Sequence, residues 1–350
     1  MTTWIRKLSY AIFAAFLLSV LTTTGSSASD ASPTAAAPLA PISHQIAGGD
    51  FDFMVWDSST FTKIGSRFGE SPKVLARDNG RQVTDRLNAG DTIHVDNRHI
   101  VPIEEADLIE VNLPQRMLFH FEGGRLSGAY PVAIGQPARK WQTPIGTFTV
   151  IQMQEDPTWR VPASIQREEE ETGKEVEDEI EPGPDNPLGK YWIGLSFPII
   201  GIHGTNHPVS VYSYRTHGCV RLHPDDIEAL FNAVDLNDRG VIVYYPLMLA
   251  RLDDGRVFLE SERDIYRKGT GGIDAVKALA RADGIDSLID WTRAGDVVTD
   301  EDGIARDVTL KSERVRGAPA EFTAATTVER TARLATDTSG KLIAEALPRH

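Results

Sequence analysis

Residues 107 to 152 carry the pattern that most restricts the fold of this chain. The run "DLIEVNLPQRMLFHFEGGRLSGAYPVAIG" alternates apolar with polar residues around a Gly-Gly turn, which predicts β-hairpins. Apolar strands return in "KYWIGLSFPIIGIHGTN" and in "GVIVYYP" at 240–246. Between these two segments Pro224 begins a helix, because two Asp residues follow it and apolar residues then recur at helical spacing. We therefore predict a mainly β domain over 107–246 with a short helix near its end.

An acidic segment divides this β pattern. The sequence "REEEETGKEVEDEIEPGPDNP", which begins at Arg167, is strongly acidic and contains Pro-Gly-Pro. Such a sequence does not bury a core, so we predict a mobile acidic loop over 167–185. Two interpretations stay open at this point. The loop is a solvated insertion without a role, or it caps a site, because long loops inside compact domains are often functional.

The first 49 residues have the composition of an export signal and a linker. Arg6 and Lys7 precede an apolar run, and small residues follow at Ser26 and Ala28, so we predict a signal peptide over 1–28. The alternative is an uncleaved membrane anchor, although the run is shorter than the ~20 residues that span a bilayer. Export would place the protein in the periplasm or cell envelope. The Ala/Pro/Ser-rich residues 29–49 predict a linker.

Three further regions complete the organisation. In residues 50–103, Gly69 ends one helix, Ser71-Pro72 starts the next, and an alternating strand follows. Residues 247–310 predict a partly helical C-terminal extension, and the Thr/Ala/Arg-rich residues 311–350 predict a disordered tail. The net charge of −14 argues against a protein that binds nucleic acid through a basic face.

The chain has one cysteine, Cys219, in the stretch "YRTHGCVRLHPDD". A single cysteine in an exported chain cannot form an internal disulfide, so a reactive thiol has to be considered. Such a thiol needs a base or a positive environment. Arg221 and the helix that begins at Pro224 offer positive charge, and Gly218 allows a tight turn. The amides of Gly218 and Cys219 would suit an oxyanion hole, which indicates an acyl-transfer site.

Histidines cluster around this cysteine. His203, His207, His217 and His223 all lie between 203 and 223, and "IGIHGTN" places His203 at the end of a predicted strand. Strand ends are where a rigid scaffold presents catalytic side chains. A zinc site is the first alternative, since these residues offer nitrogen and sulfur ligands, but their spacings match no common zinc pattern. A non-enzymatic cell-wall-binding protein with a buried cysteine is the second.

The pair "IHGTN" and "THGCVRL", with "TPIGTF" and "NPLGKYWIGL" before it, resembles the signature of the YkuD-type L,D-transpeptidases. The resemblance covers about 107–246 and implies a YkuD-like β-sandwich. It implies that Cys219 is the nucleophile, that His203 is its base, and that His217 flanks the nucleophile. It further implies oxyanion or substrate-binding roles for a set of four residues: Gly204, Thr216, Gly218 and Arg221. Residues 50–103 loosely resemble a LysM module, which binds peptidoglycan glycan.

The resemblance also implies a reaction. The thiolate would attack the bond between diaminopimelate and D-Ala in a peptidoglycan tetrapeptide stem, and the resulting thioester would pass to an amine. The partners would be stem peptides and glycan, with an outer-membrane lipoprotein as one acceptor, in cell-wall organisation and cell shape. The alternatives are an L,D-carboxypeptidase or a hydrolase of protein–peptidoglycan links. No metal or organic cofactor is needed for this chemistry.

Overall fold

The computed structural model describes residues 39–102, 108–173 and 175–310, together with the strand pair at 334–336 and 342–344. The predicted signal peptide 1–28 lies outside these residues. The antiparallel pair Leu334–Thr336 with Leu342–Ala344 corrects the prediction of a wholly disordered tail over 311–350, the rest of which lies outside the described residues. Within the described part of the chain, no helix has the length and apolar character needed to cross a bilayer.

The N-terminal module has the order strand, helix, helix, strand that the sequence indicates for residues 50–103. Its elements are β1 (Ile46–Ala47), β2 (Asp50–Met54), β3 (Ser59–Thr60), α1 (Phe61–Phe68), α2 (Pro72–Asp78), β4 (Arg86–Leu87), β5 (Thr92–Asp96) and β6 (His99–Ile100). Strands β2 and β5 pair antiparallel, and both helices contribute to one buried cluster with them, including Phe61, Leu75 and Val95. The Thr60 hydroxyl caps α1 by accepting the Lys63 N–H. The likeness to a LysM module stays a prediction.

The segment predicted as a linker over 29–49 is ordered in its second half. Ser43 bridges to Ala250, and β1 pairs with β6. Apolar side chains explain the difference, because Leu39 and Ile42 pack against a buried cluster of the C-terminal extension. The linker prediction is therefore wrong for these residues, while 29–38 lie outside the described part.

The middle of the chain forms the mainly β domain that the sequence predicts. Its elements up to the insertion are β7 (Leu108–Asn112), β8 (Met117–Glu122), β9 (Arg125–Pro131), β10 (Ile134–Gly135), a 3-10 turn (Arg139–Trp141) and β11 (Gly146–Glu155). The insertion contains β12 (Trp159–Arg160), α3 (Ala163–Glu171) and β13 (Glu179–Ile180). After it come β14 (Tyr191–Leu195), β15 (Gly201–His203), a 3-10 turn (Pro208–Ser210), β16 (Tyr214–Thr216), β17 (Val220–Arg221), α4 (Pro224–Phe231) and β18 (Arg239–Val243).

One eight-stranded sheet, in the order β17-β15-β14-β11-β18-β7-β8-β9, organises this domain. The first half of β11 pairs with β18 and its second half pairs with β14, so this strand joins two halves of a curled sheet. Residues from both halves, such as Ile193, Val220 and Ile242, belong to one buried cluster that also includes Ile227 of α4. The mainly β prediction is confirmed, and the helix begins at Pro224 as predicted.

The acidic segment is not an extended loop throughout. Helix α3 includes residues 167–171, and the flanking strands β12 and β13 pair antiparallel at its base. Glutamate has a high intrinsic helix propensity, and Pro162 precedes the first helical residue. The loop prediction over 167–185 is therefore wrong for its first five residues, because local propensity favours a helix where the net charge suggested none.

The C-terminal extension is an α/β unit. Its elements are β19 (Leu247–Arg251), β20 (Val257–Ser261), α5 (Gly272–Ala282), a 3-10 turn (Asp286–Leu288), α6 (Trp291–Asp300) and β21 (Arg306–Asp307). Three strands form an antiparallel sheet in the order β19-β20-β21, and residues of both helices join its buried cluster. The outlying strand pair is β22 (Leu334–Thr336) and β23 (Leu342–Ala344).

A buried polar cluster joins the N-terminal module, the β domain and the extension. His99 Nδ1 lies 2.8 Å from Glu260 Oε1, and His99 Nε2 lies 2.8 Å from the Gly69 carbonyl oxygen. The Gln115 amide donates to the same Glu260 carboxylate at 3.0 Å. Burial alone would lower the pKa of His99, but the Glu260 carboxylate raises it above its usual value. His99 donates from both nitrogens and links the N-terminal module to Glu260 of the extension, and Gln115 links the β domain to the same carboxylate.

Helix α1 also contacts the segment that follows Cys219. Arg67 Nη2 lies 2.7 Å from Asp225 Oδ2, and Arg67 Nη1 lies 3.4 Å from Asp226 Oδ1. His223, which precedes α4, donates from Nε2 to the Ser66 carbonyl at 2.9 Å. Because the Arg67 and Asp226 side chains are only 11% and 4% exposed, this ion pair is shielded from solvent. The N-terminal module therefore supports the first turn of α4.

We expect Arg67→Ala to lower the free energy of unfolding by about 3 kcal/mol, because it leaves the buried Asp226 carboxylate without its cation. Denaturation by urea checks this value. Arg81→Ala is the matched control, since Arg81 pairs with Asp85 at an exposed position and its loss should cost less than about 1 kcal/mol. Equal effects of the two substitutions would contradict a supporting role for the Arg67 contacts.

Candidate active site

Cys219 lies in the tight turn between β16 and β17. Gly218, which precedes it, has φ +116°, and a Cβ there would come within 2.9 Å of Ile200 Cδ1. A glycine is therefore needed at this position on both conformational and steric grounds. Side chains alternate along a strand, so Cys219 continues the face of β17 that carries Arg221. The parallel register pairs Arg221 with His203 of β15, which places Cys219 and His203 on the same face.

The Cys219 thiol faces a backbone carbonyl. Its Sγ lies 3.6 Å from the carbonyl oxygen of Ile199. Burial raises the pKa of the Cys219 thiol, while the Gly201 N–H and the Arg221 charge act in the opposite direction. Helix α4 begins only at Pro224, five residues after Cys219. Burial therefore favours the neutral thiol over the thiolate.

Ile199 is a residue that sequence reasoning missed. It occupies the turn between β14 and β15 with φ +57°, a left-handed conformation that is rare for a β-branched residue. Its side chain is 86% exposed, so no buried packing explains the conformation. Such backbone strain costs about 1–3 kcal/mol and concentrates at functional sites. Here the turn carries the carbonyl that faces the Cys219 thiol.

His203 is placed to act as a base. It ends β15, its ring is 4% exposed, and it stacks on Trp192 with ring centres 6.0 Å apart. Its Nδ1 lies 2.7 Å from the Gly204 carbonyl oxygen, which can only accept, so Nδ1 carries the proton. Burial and the Arg221 charge lower the pKa of His203 to about 3. The ring is therefore neutral at pH 7.

Gly204 contacts the predicted base. Its carbonyl accepts the Nδ1 proton of His203, while the oxyanion or substrate-binding role that the sequence suggested stays a prediction. The contact fixes the tautomer and the ring orientation of the base, as an orienting acceptor does in other nucleophile–base pairs.

Thr216 stabilises the turn that carries Cys219. Its hydroxyl donates to the Cys219 carbonyl at 2.6 Å and accepts the Gly218 N–H at 3.2 Å. The Gly218 amide, one of the two amides predicted for an oxyanion hole, donates to the Thr216 hydroxyl in this structure, and its oxyanion role stays a prediction. The N–H of Cys219 itself is the remaining predicted donor.

Arg221 lies half-buried on the same face. Its Nη1 donates to Ser210 Oγ at 2.9 Å, and in the described part of the chain its buried Nε has no hydrogen-bond partner. Burial lowers the pKa of Arg221, and the nearby Cys219 acts in the opposite direction. Arg221 therefore brings a positive charge and an unused donor to the site.

His217 contacts the helical insertion. Its ring packs at a tilt against Trp141 with centres 4.1 Å apart, and its Nε2 lies 3.3 Å from Glu168 Oε2 of α3. Burial lowers the pKa of His217, and the Glu168 carboxylate opposes this shift. Helix α3 thus contacts the residue two positions before Cys219, and the capping interpretation of the acidic segment stays a prediction. His207 is exposed and His223 belongs to the α1 contact, so neither joins the site.

Among the described residues, the group best arranged to bind a metal ion is far in the sequence from Cys219 and His203. His99, Glu260 and Glu262 offer ligand atoms within 4.8 Å of one another. However, both His99 nitrogens face acceptors, and Arg116 Nη2 lies 3.2 Å from Glu262 Oε2. The carboxylates already have cationic partners, so this cluster fits a structural network better than a metal centre.

We expect the unliganded Cys219 thiol to titrate above the ordinary cysteine value of about 8.5, because burial disfavours its anion. Only the thiolate reacts with iodoacetamide, so the alkylation rate should rise with pH to a midpoint above that of N-acetylcysteine. A midpoint below that of the free thiol would instead indicate a preformed thiolate–imidazolium pair.

Several known proteins are similar to the part of the chain that contains these residues. Residues 106–243 match the family model for the L,D-transpeptidase catalytic domain named YkuD. The L,D-transpeptidase ErfK/SrfK of Salmonella typhimurium is 28% identical over 234 residues, 66% of this chain and 75% of that protein. The L,D-transpeptidase YkuD of Bacillus licheniformis is 28% identical over 185 residues, 52% of this chain and 92% of that protein. The NMR structure of an E. faecium L,D-transpeptidase catalytic domain is 21% identical, covers 40% of this chain and 98% of that chain, and gives a TM-score of 0.31.

Proposed function

Because residues 106–243 belong to the YkuD family of L,D-transpeptidases, which are cysteine-dependent acyltransferases, we propose that this chain transfers an acyl group from a peptidoglycan stem peptide through a thioester on Cys219. The donor is a tetrapeptide stem, and the bond that breaks joins diaminopimelate to the terminal D-Ala. The observation that carries the proposal is a neutral His203 with Nδ1 fixed on Gly204, on the strand beside the nucleophile.

In the first half-reaction, His203 Nε2 takes the thiol proton while Sγ of Cys219 attacks the diaminopimelate carbonyl carbon. A C–S bond forms, and the carbonyl oxygen becomes an oxyanion that the Cys219 N–H stabilises. The intermediate then collapses, the C–N bond breaks, and His203 gives its proton to the D-Ala nitrogen. Arg221, with an unused Nε, is placed to bind an anionic group of the stem.

In the second half-reaction, an amine attacks the thioester. His203 accepts a proton from the attacking nitrogen and returns it to the sulfur as the C–S bond breaks. The acceptor is the diaminopimelate of another stem or a lysine of an outer-membrane lipoprotein. The predicted signal peptide supports a periplasmic site for this reaction, and the likeness of the N-terminal module to LysM supports glycan binding by residues 50–103.

The test is incubation of the purified chain with a disaccharide-tetrapeptide, with and without an added amine. Mass spectrometry should detect release of D-Ala, a covalent adduct on Cys219, and an amide product when the amine is present. Release of D-Ala without an amide product, because water resolves the thioester, would favour the L,D-carboxypeptidase alternative, which shares the first half-reaction. Failure to release D-Ala under either condition would eliminate the proposal.

A further inference from the structure

An ammonium group of the protein lies next to the residues that contact His217. Lys140 Nζ is 3.9 Å from Glu168 Oε1 and 4.4 Å from the centre of the Trp141 ring. A carboxylate and an aromatic face are the two groups with which proteins hold alkylammonium ions. The same Trp141 ring packs against His217, and only Gly218 separates His217 from Cys219 in the sequence. This ammonium position therefore adjoins the turn that carries Cys219.

Lys140 is held loosely, whereas Glu168 is fixed. The side chains of Lys140 and Glu168 are 69% and 43% exposed, and 3.9 Å exceeds hydrogen-bond length. An exposed ion pair of this kind contributes at most about 1 kcal/mol. Glu168, by contrast, has its second carboxylate oxygen 3.3 Å from His217 Nε2. Another ammonium ion can therefore replace Lys140 without disturbing the carboxylate.

We propose that Glu168 and Trp141 form the docking position for the ammonium group of the acyl acceptor, and that Lys140 occupies this position in the resting enzyme. The inference rests on the proposed function, because an acceptor is needed only once the thioester has formed. It makes Glu168 a specificity-determining residue that favours cationic primary amines over water.

The chemistry at this position balances without another reactant. The docked ammonium ion loses one proton to solvent, and the resulting amine attacks the thioester carbonyl carbon. An N–C bond forms, the second proton passes to His203 Nε2, and the C–S bond breaks. His203 then protonates the departing thiolate, which restores the neutral thiol and the neutral imidazole. The Glu168 carboxylate is unchanged throughout.

Two substitutions in the full-length chain should change acceptor use in opposite directions. With disaccharide-tetrapeptide as donor and Nα-acetyl-L-lysine as acceptor, we expect Glu168→Gln to raise the acceptor KM about tenfold, the effect of losing one charge-assisted contact. Lys140→Met should lower the same KM severalfold, because it removes the competing ammonium group. The initial burst of D-Ala release, which reports acylation, should change less than the acceptor KM in both variants.

Two controls separate docking from general effects. Glu170→Gln removes the same charge from an exposed position on α3 and should leave the acceptor KM unchanged. Hydroxylamine, which is uncharged at pH 7, should resolve the thioester equally fast in the wild-type chain and in Glu168→Gln.

Three results would overturn the inference. They are equal effects of Glu168→Gln and Glu170→Gln, a parallel loss of acylation in Glu168→Gln, and a higher acceptor KM in Lys140→Met. Absence of the D-Ala burst in the wild-type chain would instead refute the proposed function, and the two failures are therefore distinguishable.

Discussion

Replacing Cys219 by alanine is expected to abolish formation of the acyl-enzyme and to reduce D-Ala release by a factor on the order of 10⁴ or more. The reason is that the thiol is the group that forms the covalent bond, and the sequence contains only one cysteine to supply it. Intact-mass measurement after incubation with disaccharide-tetrapeptide, or with a carbapenem as a thiol-directed acylating probe, should show one adduct on the wild-type chain and none on the variant.

The stability of the Cys219→Ala protein provides the control. The residue is half-buried, and removing one sulfur atom there should change the melting temperature by only a few degrees. A folded variant without activity would therefore assign the loss to chemistry. Crosslinked product from folded Cys219→Ala would rule out the thioester mechanism.

Replacing His203 by alanine is expected to reduce acylation by a factor of about 10²–10⁴, the usual contribution of a positioned general base. The thiol is neutral at rest because burial raises its pKa, so the enzyme depends on a base during attack. The acylation rate in a single turnover, followed as D-Ala release, measures this effect.

His207→Ala is the matched control for this prediction. His207 belongs to the same histidine cluster in the sequence but is exposed, so its loss should leave acylation within about twofold of the wild-type rate. Comparable losses in both variants, accompanied by bound zinc in elemental analysis, would favour the metal interpretation over the base.

Local sequence signals predicted the parts of the site whose backbone conformation depends on residues adjacent in the sequence. Glycine before Cys219 implied a tight turn, and the turn has φ +116° at Gly218. A Pro followed by acidic residues implied a helix, and α4 begins at Pro224. The apolar strand before His203 implied a strand end, and β15 ends there. In each case a few adjacent residues determine the backbone.

The remaining features depend on groups that meet only in three dimensions. The acceptor for His203 Nδ1 is a backbone carbonyl, and no side-chain pattern reports which carbonyl a ring will face. The contact of Glu168 with His217 joins residues 49 positions apart in the chain. It also depends on helix α3, which the high negative charge of this segment had argued against. The Ser210 contact to Arg221 likewise depends on how the 3-10 turn packs.

The buried links at His99 and Arg67 bear on how this enzyme can be divided or recombined. The family match spans 106–243, yet Gln115 within it donates to Glu260 in the extension, and Asp226 pairs with Arg67 in the N-terminal module. A fragment cut at the family boundaries would lose those partners and present polar groups, formerly buried, on a newly exposed apolar surface. A unit that preserves these contacts must include Arg67 of the N-terminal module and Glu260 of the extension, so transplanting the N-terminal module onto another enzyme would require transferring its contact surfaces as well.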